Sequence, residues 1–157
     1  MTNAISLQPR AGARPSTTND FPHSQLDQQP ADSRYVDEIL AEARTWPSVQ
    51  EGPSRISVEG SRALILDADA DAPAEALVGQ EFCHVHAQGD YSLHAVLPLE
   101  LAAAAERAGW AEPHFLVRTG QAPPTVVMIY APRDESERDV VLGLVRASYE
   151  LACTTKA

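Results

Sequence analysis

From Tyr35 onward the chain has an amphipathic period, with Val36, Ile39, Leu40 and Ala43 at i, i+3, i+4 and i+7, the stripe that one helix face buries. Asp32-Ser33 offers a cap pair before this helix, and Pro47 stops it just after Trp46. Alternation then replaces the helical period. Residues 55–58 and 62–66 flank Glu59-Gly60-Ser61 and predict a tight hairpin. A short helical piece over residues 74–78 leads into a second hairpin, residues 82–86 and 92–96, around Ala87-Gln88-Gly89-Asp90-Tyr91. Pro98 opens a helix through Leu99, Leu101, Ala102 and Ala105 that Gly109 terminates. Residues 114–118 and 125–130 read as two further strands. A last helix opens at Asp134-Glu135-Ser136-Glu137, a capping box with Asp in place of Ser or Thr, and buries Val141, Leu144, Val145, Ser148, Leu151 and Ala152. The order predicts an α+β domain: a mainly antiparallel sheet of two hairpins plus two further strands, with helices packed on one side.

Residues 1–31 are rich in Pro, Ser, Thr, Gln and Asn and hold their apolar residues in no period, so a disordered tail is expected there, and His23 within it receives no role. Residues 32–153 then form a single domain and residues 154–157 a frayed C-terminus. A chain of 157 residues can bury one core of ordinary size. Its formal net charge of -10 argues against nucleic acid and anionic membranes as partners, and leaves open whether a protein partner exists. Cys83 and Cys153 make neither a disulfide framework nor a CxxC metal site and are read as reduced thiols. The start lacks a leader's apolar run of about 7–15 residues, and no segment approaches the roughly 20 apolar residues of a membrane span. A cytoplasmic protein is therefore expected. Asp67, Asp69 and Asp71 alternate, but the Gly and closing Glu of a calcium loop are missing, which favours a solvated acidic turn.

The chemistry concentrates in the second hairpin. Strict alternation places Phe82, His84 and His86 on one face, with Cys83 and Val85 opposite. Pairing about Gly89 sets His84 opposite His94, with Cβ atoms roughly 5 Å apart, and His86 opposite Ser92. Gathered imidazoles suit a transition-metal seat built from His84, His86 and His94, with Glu81 or Asp90 completing the shell. The favoured reading is a metal-free pocket for a small-molecule ligand, where one neutral ring accepts a proton and another donates to developing negative charge. A purely structural role is the third reading. Asp90 and Ser92 either orient an imidazole or serve only the turn. His114 brings a fourth ring to the start of a predicted strand. Trp110 is a core anchor or a pocket wall. Tyr130 through Asp134 spans a strand-to-helix junction where Arg133 either holds an anion or enolate or pairs with Glu137. No P-loop, GxSxG or GxGxxG is present, so nucleotide and hydrolase chemistry has no motif.

Five ordered blocks carry a resemblance: Glu81-Phe82-Cys83-His84-Val85-His86, Asp90 through Pro98, Gly109 through His114, Tyr130 through Asp134, and Ala147-Ser148-Tyr149. Together, over roughly residues 48–152, the chain resembles the fungal-luciferase-type domain family, which includes small bacterial members. The resemblance implies an oxygenase-like oxidoreductase. Fungal luciferase adds dioxygen to a hydroxylated styryl-pyrone and releases carbon dioxide and light without a recognised organic cofactor. Such chemistry needs a base that forms an enolate and an apolar pocket that admits oxygen. The matching positions are His84, His86, Asp90, His94 and His114 as catalytic candidates, and Tyr91, Ser92, Trp110, Tyr130 and Arg133 as substrate-binding candidates. The chain departs from the family pattern at Cys83 and Ala87, which replace a usual Ala and Pro, and at Tyr91, which replaces a usual Gly. A shared fold does not fix a substrate, so light emission is not implied.

Overall fold

The computed structural model describes residues 7–67, 76–87 and 89–154. Helix α1 (Arg34–Ala43) precedes strands β1 (Val49–Pro53), β2 (Arg62–Leu66), β3 (Glu81–Val85) and β4 (Leu93–Val96). Helix α2 (Leu99–Arg107), strand β5 (Ala111–Pro113), the single turn α3 (Phe115–Arg118), strand β6 (Val126–Ile129) and helix α4 (Glu135–Ala152) follow. One antiparallel sheet runs in the order β1-β2-β3-β4-β6-β5. This is the expected α+β architecture.

The period of 3.6 locates the core. Val36, Ile39, Leu40 and Ala43 of α1 are buried, as are Val141, Leu144, Val145, Ser148, Tyr149 and Ala152 of α4. They join Leu64, Leu66, Cys83, Val85, Leu93, Ala95, Val127 and Ile129 in one apolar cluster, so both helices cover one face of the sheet. Burying each such Leu or Ile stabilises the fold by roughly 1.5–3 kcal/mol. Asp134 caps α4 by accepting from the Glu137 amide at 2.8 Å, but the Glu137 carboxylate returns to the Arg133 amide rather than to that of the cap residue. Tyr149, not Leu151, completes the buried stripe.

Four expected elements differ. The first hairpin uses residues 49–53, not 55–58, against β2, in the register Val49↔Leu66 to Pro53↔Arg62. The reason is local capture of the backbone. The Arg55 amide donates to Glu81, and the Ile56 and Ser57 amides donate to Ser54 Oγ, leaving no ladder donors for that stretch. α1 ends at Ala43, ahead of Trp46. The strand expected over residues 114–118 is β5 followed by a helical turn, because His114 Nδ1 accepts from the Leu116 amide and caps that turn. Val78 of the expected helical piece instead bridges Glu81, and residues 74–75 of that piece, like Asp69 and Asp71, lie outside the described residues.

The opposite face of the sheet is covered by a segment with no regular element. Residues 7–31, expected to be a disordered tail, lie against the sheet and α2. Arg10 donates its amide to the Ala108 carbonyl, Trp110 Nε1 donates to the Gln8 carbonyl, Arg14 donates to the Ala111 carbonyl, and Gln25 Oε1 accepts from the Ala131 amide. Arg10, His23 and Gln25 are buried. The composition resembles disorder because this strap is held by polar bonds to backbone groups instead of by an apolar stripe. No helix among the described residues is long and apolar enough to cross a membrane.

Candidate functional site

Cross-strand pairing on the strap side aligns Ala63, His84, His94, Met128 and Glu112 in one row across five strands. A bulge in β3 adds a member to the row. Leu64 pairs with Cys83 but Ile65 with Glu81, so Phe82 is the extra residue. The slip turns Glu81 to the histidine side and Phe82 toward the helices, where its ring lies 5.9 Å from Tyr149. Strict alternation had placed Phe82 with the imidazoles. Cys83 faces the core as expected, and burial pushes its thiol up, which makes it a poor nucleophile.

Neighbouring strands lie about 4.8 Å apart, so Glu112, two strands beyond His94, is out of its direct reach. His23 of the strap bridges the gap over Met128. Its Nδ1 lies 3.2 Å from His94 Nε2 and its Nε2 lies 3.3 Å from Glu112 Oε2. At the other end, His94 Nδ1 lies 3.1 Å from His84 Nε2, and His84 Nδ1 lies 2.9 Å from Glu81. The result is a continuous chain, Glu81–His84–His94–His23–Glu112, with a carboxylate at each end. Ser54 and the Arg55 amide hold Glu81, and Thr17 and Tyr130 hold Glu112. His86 stands beside the chain, its ring 4.5 Å from that of His94; its Nδ1 is 2.9 Å from Ser92 Oγ and 3.4 Å from Asp90 Oδ2. His114 packs its ring 4.6 Å from His94 and 5.0 Å from His23. All five histidines form one cluster.

The electrostatics follow from this packing. Burial lowers the pKa of His94 far below the ordinary value, and the neighbouring imidazoles push it the same way. Burial also lowers His84, with the Glu81 bond opposing it, and carries His114 down to about 4. Burial alone would raise Glu81, Asp90 and Glu112. Hydrogen bonds from His84 to Glu81, from His86 to Asp90 and from His23 to Glu112 outweigh it and hold each carboxylate below its usual range. The site therefore pairs ionised carboxylates with largely neutral imidazoles.

Two cavities, of about 690 and 520 Å³, both border His84, His94 and His114. The smaller also borders His23 and His86, and its rim is apolar: Phe21, Ile56 and Val58 remain 70%, 52% and 44% exposed there. Of the residues singled out in the sequence, His84, His86, His94 and His114 converge, and Asp90 and Ser92 orient His86. Tyr130 reaches the site only through Glu112. Tyr91 lines a separate hollow of about 250 Å³ with Val36, Arg62 and His86, and its φ of +59° explains why a Gly suits that position. Trp110 belongs to the core and borders neither large cavity. Arg133 is held by Glu137 at 2.6 Å, Gln28 and the Ala11 carbonyl, so it anchors the strap and does not offer a guanidinium to an anion. The sequence reading missed His23, Glu112 and Thr17.

A luciferase domain model matches residues 79–148. Over this stretch the chain is similar to luciferase domains. The chain is 30% identical to a luciferase of Armillaria mellea and 31% identical to one of Armillaria ostoyae, in each case over 90% of this chain and 59% of that protein. A luciferase of Neonothopanus nambi is 28% identical over 88% of this chain and 58% of that protein. The chain thus spans less than two thirds of the length of these fungal luciferases. No solved structure matches it. A match over 90% of this chain reaches His23 wherever it begins, so the part of the strap that carries His23 lies within the region matched to the luciferases. That reach was the signal that would have drawn the strap into the domain.

Proposed function

We propose that this luciferase-domain protein is an oxygenase that binds a small, mainly apolar, enolisable molecule beside the histidine cluster and oxidises it with dioxygen, without an organic cofactor. The observation that carries the reading is the shared border of the two cavities, where His84, His94 and His114 face a space with an apolar rim. The volumes fall within the range of ordinary ligand pockets, roughly 300–1,000 Å³. Bare ring nitrogens in a sheltered site accept the proton of an enol or an activated C–H group. His114, whose Nδ1 accepts from the Leu116 amide, presents Nε2–H and stabilises the developing oxyanion. The enolate carbon then gives an electron pair to dioxygen, a C–O bond forms, and the returned proton completes a hydroperoxide. Apolar walls admit oxygen and exclude water from the carbanion. The names of the fungal relatives support this class of reaction. With Cys83 and Cys153 unpaired, a reducing compartment such as the cytoplasm suits the protein.

Oxygen uptake with a panel of hydroxylated pyrones and related enols tests the reading. The full chain should consume oxygen with at least one of them, and His94→Ala and His114→Ala should each lose most of that rate, on the order of 10²-fold. Equal rates in both variants, with the fold retained, would refute it.

A further inference from the structure

His84, His86 and His94 each present a ring nitrogen within 4.8 Å of the other two. The outer hydrogen bonds determine which nitrogens those are. Glu81 already accepts from Ser54 Oγ and the Arg55 amide, and its oxygen likewise accepts from His84 Nδ1–H, which leaves the lone pair of His84 Nε2 free. Ser92 gives its hydroxyl hydrogen to Asp90, so its oxygen accepts from His86 Nδ1 and leaves His86 Nε2 bare. On the third ring the assignment runs inward from the strap. Glu112 accepts from His23 Nε2, so His23 presents Nδ1 to His94 Nε2 as His84 presents Nε2 to His94 Nδ1; the single N–H of His94 serves one of these neighbours, and donation to His23 leaves His94 Nδ1 bare. It faces His84 Nε2 at 3.1 Å. In that tautomer three lone pairs converge, an arrangement that a cation relieves.

We infer that the three nitrogens, His84 Nε2, His86 Nε2 and His94 Nδ1, bind one divalent late first-row transition ion, with His23 and Glu112 fixing the third ligand from the strap. A metal–nitrogen bond of about 2.1 Å sets two ligands on one tetrahedral ion roughly 3.4 Å apart, close to the His84–His94 separation. Each outer N–H already meets a carboxylate, directly or through one further residue, as metal-bound imidazoles require. Another trio, His23, His94 and His114, lies equally close, but His114 Nδ1 accepts from the Leu116 amide, so its Nε2 carries hydrogen and is no ligand. The cavities leave room for an exogenous ligand at the fourth position. The inference stands on the convergence of three buried ring nitrogens and does not require the oxygenase reading.

The test is metal binding by the full chain after chelator treatment, with turnover playing no part. Titration with Zn²⁺ by calorimetry and with Co²⁺ by visible absorption should give one ion per chain and a tetrahedral cobalt spectrum. His86→Ala and His94→Ala should each weaken binding at least tenfold, and Glu112→Gln, which touches no ligand directly, should weaken it about 10-fold to 100-fold. His114→Ala should leave the affinity unchanged. If the wild-type chain takes up no stoichiometric ion from Zn²⁺, Co²⁺, Ni²⁺ or Cu²⁺, the site does not exist, whatever the variants do. Binding that survives His86→Ala but is lost in His114→Ala would overturn the assignment in favour of the other trio.

Discussion

On the helix side of the sheet, Leu64, Leu93, Ala95 and Ile129 share one apolar cluster with Ile39, Leu40, Leu144 and Val145. The strap side of the same strands carries Ala63, His84, His94, Met128 and Glu112 beneath a segment held by hydrogen bonds. The first face derives its free energy from non-directional burial and tolerates any side chains of suitable volume. The second depends on direction: Glu81, Glu112, His23 and Gln25 each have named hydrogen-bond partners, and losing one leaves another unsatisfied. Damage to the helix face should therefore read out as stability. Damage to the strap face should read out first as function.

The largest effect is expected where that contrast is simplest. Leu64→Ala or Ile39→Ala should lower the unfolding free energy by about 2–5 kcal/mol in urea titration. A cost below 1 kcal/mol would mean that the helix face is not the principal core. Glu112→Gln should cost less, about 1–3 kcal/mol, because it takes the ionised acceptor from His23 and Tyr130 without opening a cavity. Unchanged stability and unchanged binding together would show that the strap is not held through Glu112.

Acidity separates the faces further. Folding keeps His84, His94 and His114 neutral, so the unfolded chain binds more protons below about pH 6.5, the ordinary histidine value. Stability of the metal-free protein should then fall as pH drops from 6.5 toward the value of about 4 for His114. The depressed carboxyls of Glu81, Asp90 and Glu112 contribute stability above the ordinary carboxylate range and extend the loss as pH falls through their folded values. A flat profile between pH 6.5 and 4.5 would contradict the burial of neutral rings. The smallest expected effect lies back on the helix side. Gly143 sits in the interior of α4, where an added Cβ meets nothing within 4 Å, so Gly143→Ala should stabilise by roughly 0.5–1 kcal/mol. A destabilised variant would show a contact at that exposed position.

The same contrast explains what was legible in the sequence. Val36, Ile39, Leu40 and Ala43 declare a buried helix face by period alone, and alternation about Gly89 fixes His84 opposite His94. Parity failed at Phe82, because a single-residue bulge leaves no mark in composition yet exchanges Glu81 for Phe82 at the site. The strap failed for a related reason. His23 and Gln25 are buried by bonds to residues some 70 to 106 positions away, and no local period encodes such partners.

The hydrogen positions on the histidine rings are the most direct test of the central claim, and long-range ¹⁵N–¹H correlation of the metal-free full chain near neutral pH reads them. The account predicts that His84 and His86 carry hydrogen on Nδ1 and that His23 and His94 carry it on Nε2, with His84 Nε2, His86 Nε2 and His94 Nδ1 bare. Rings that average between tautomers, or a His94 protonated at Nδ1, would contradict it.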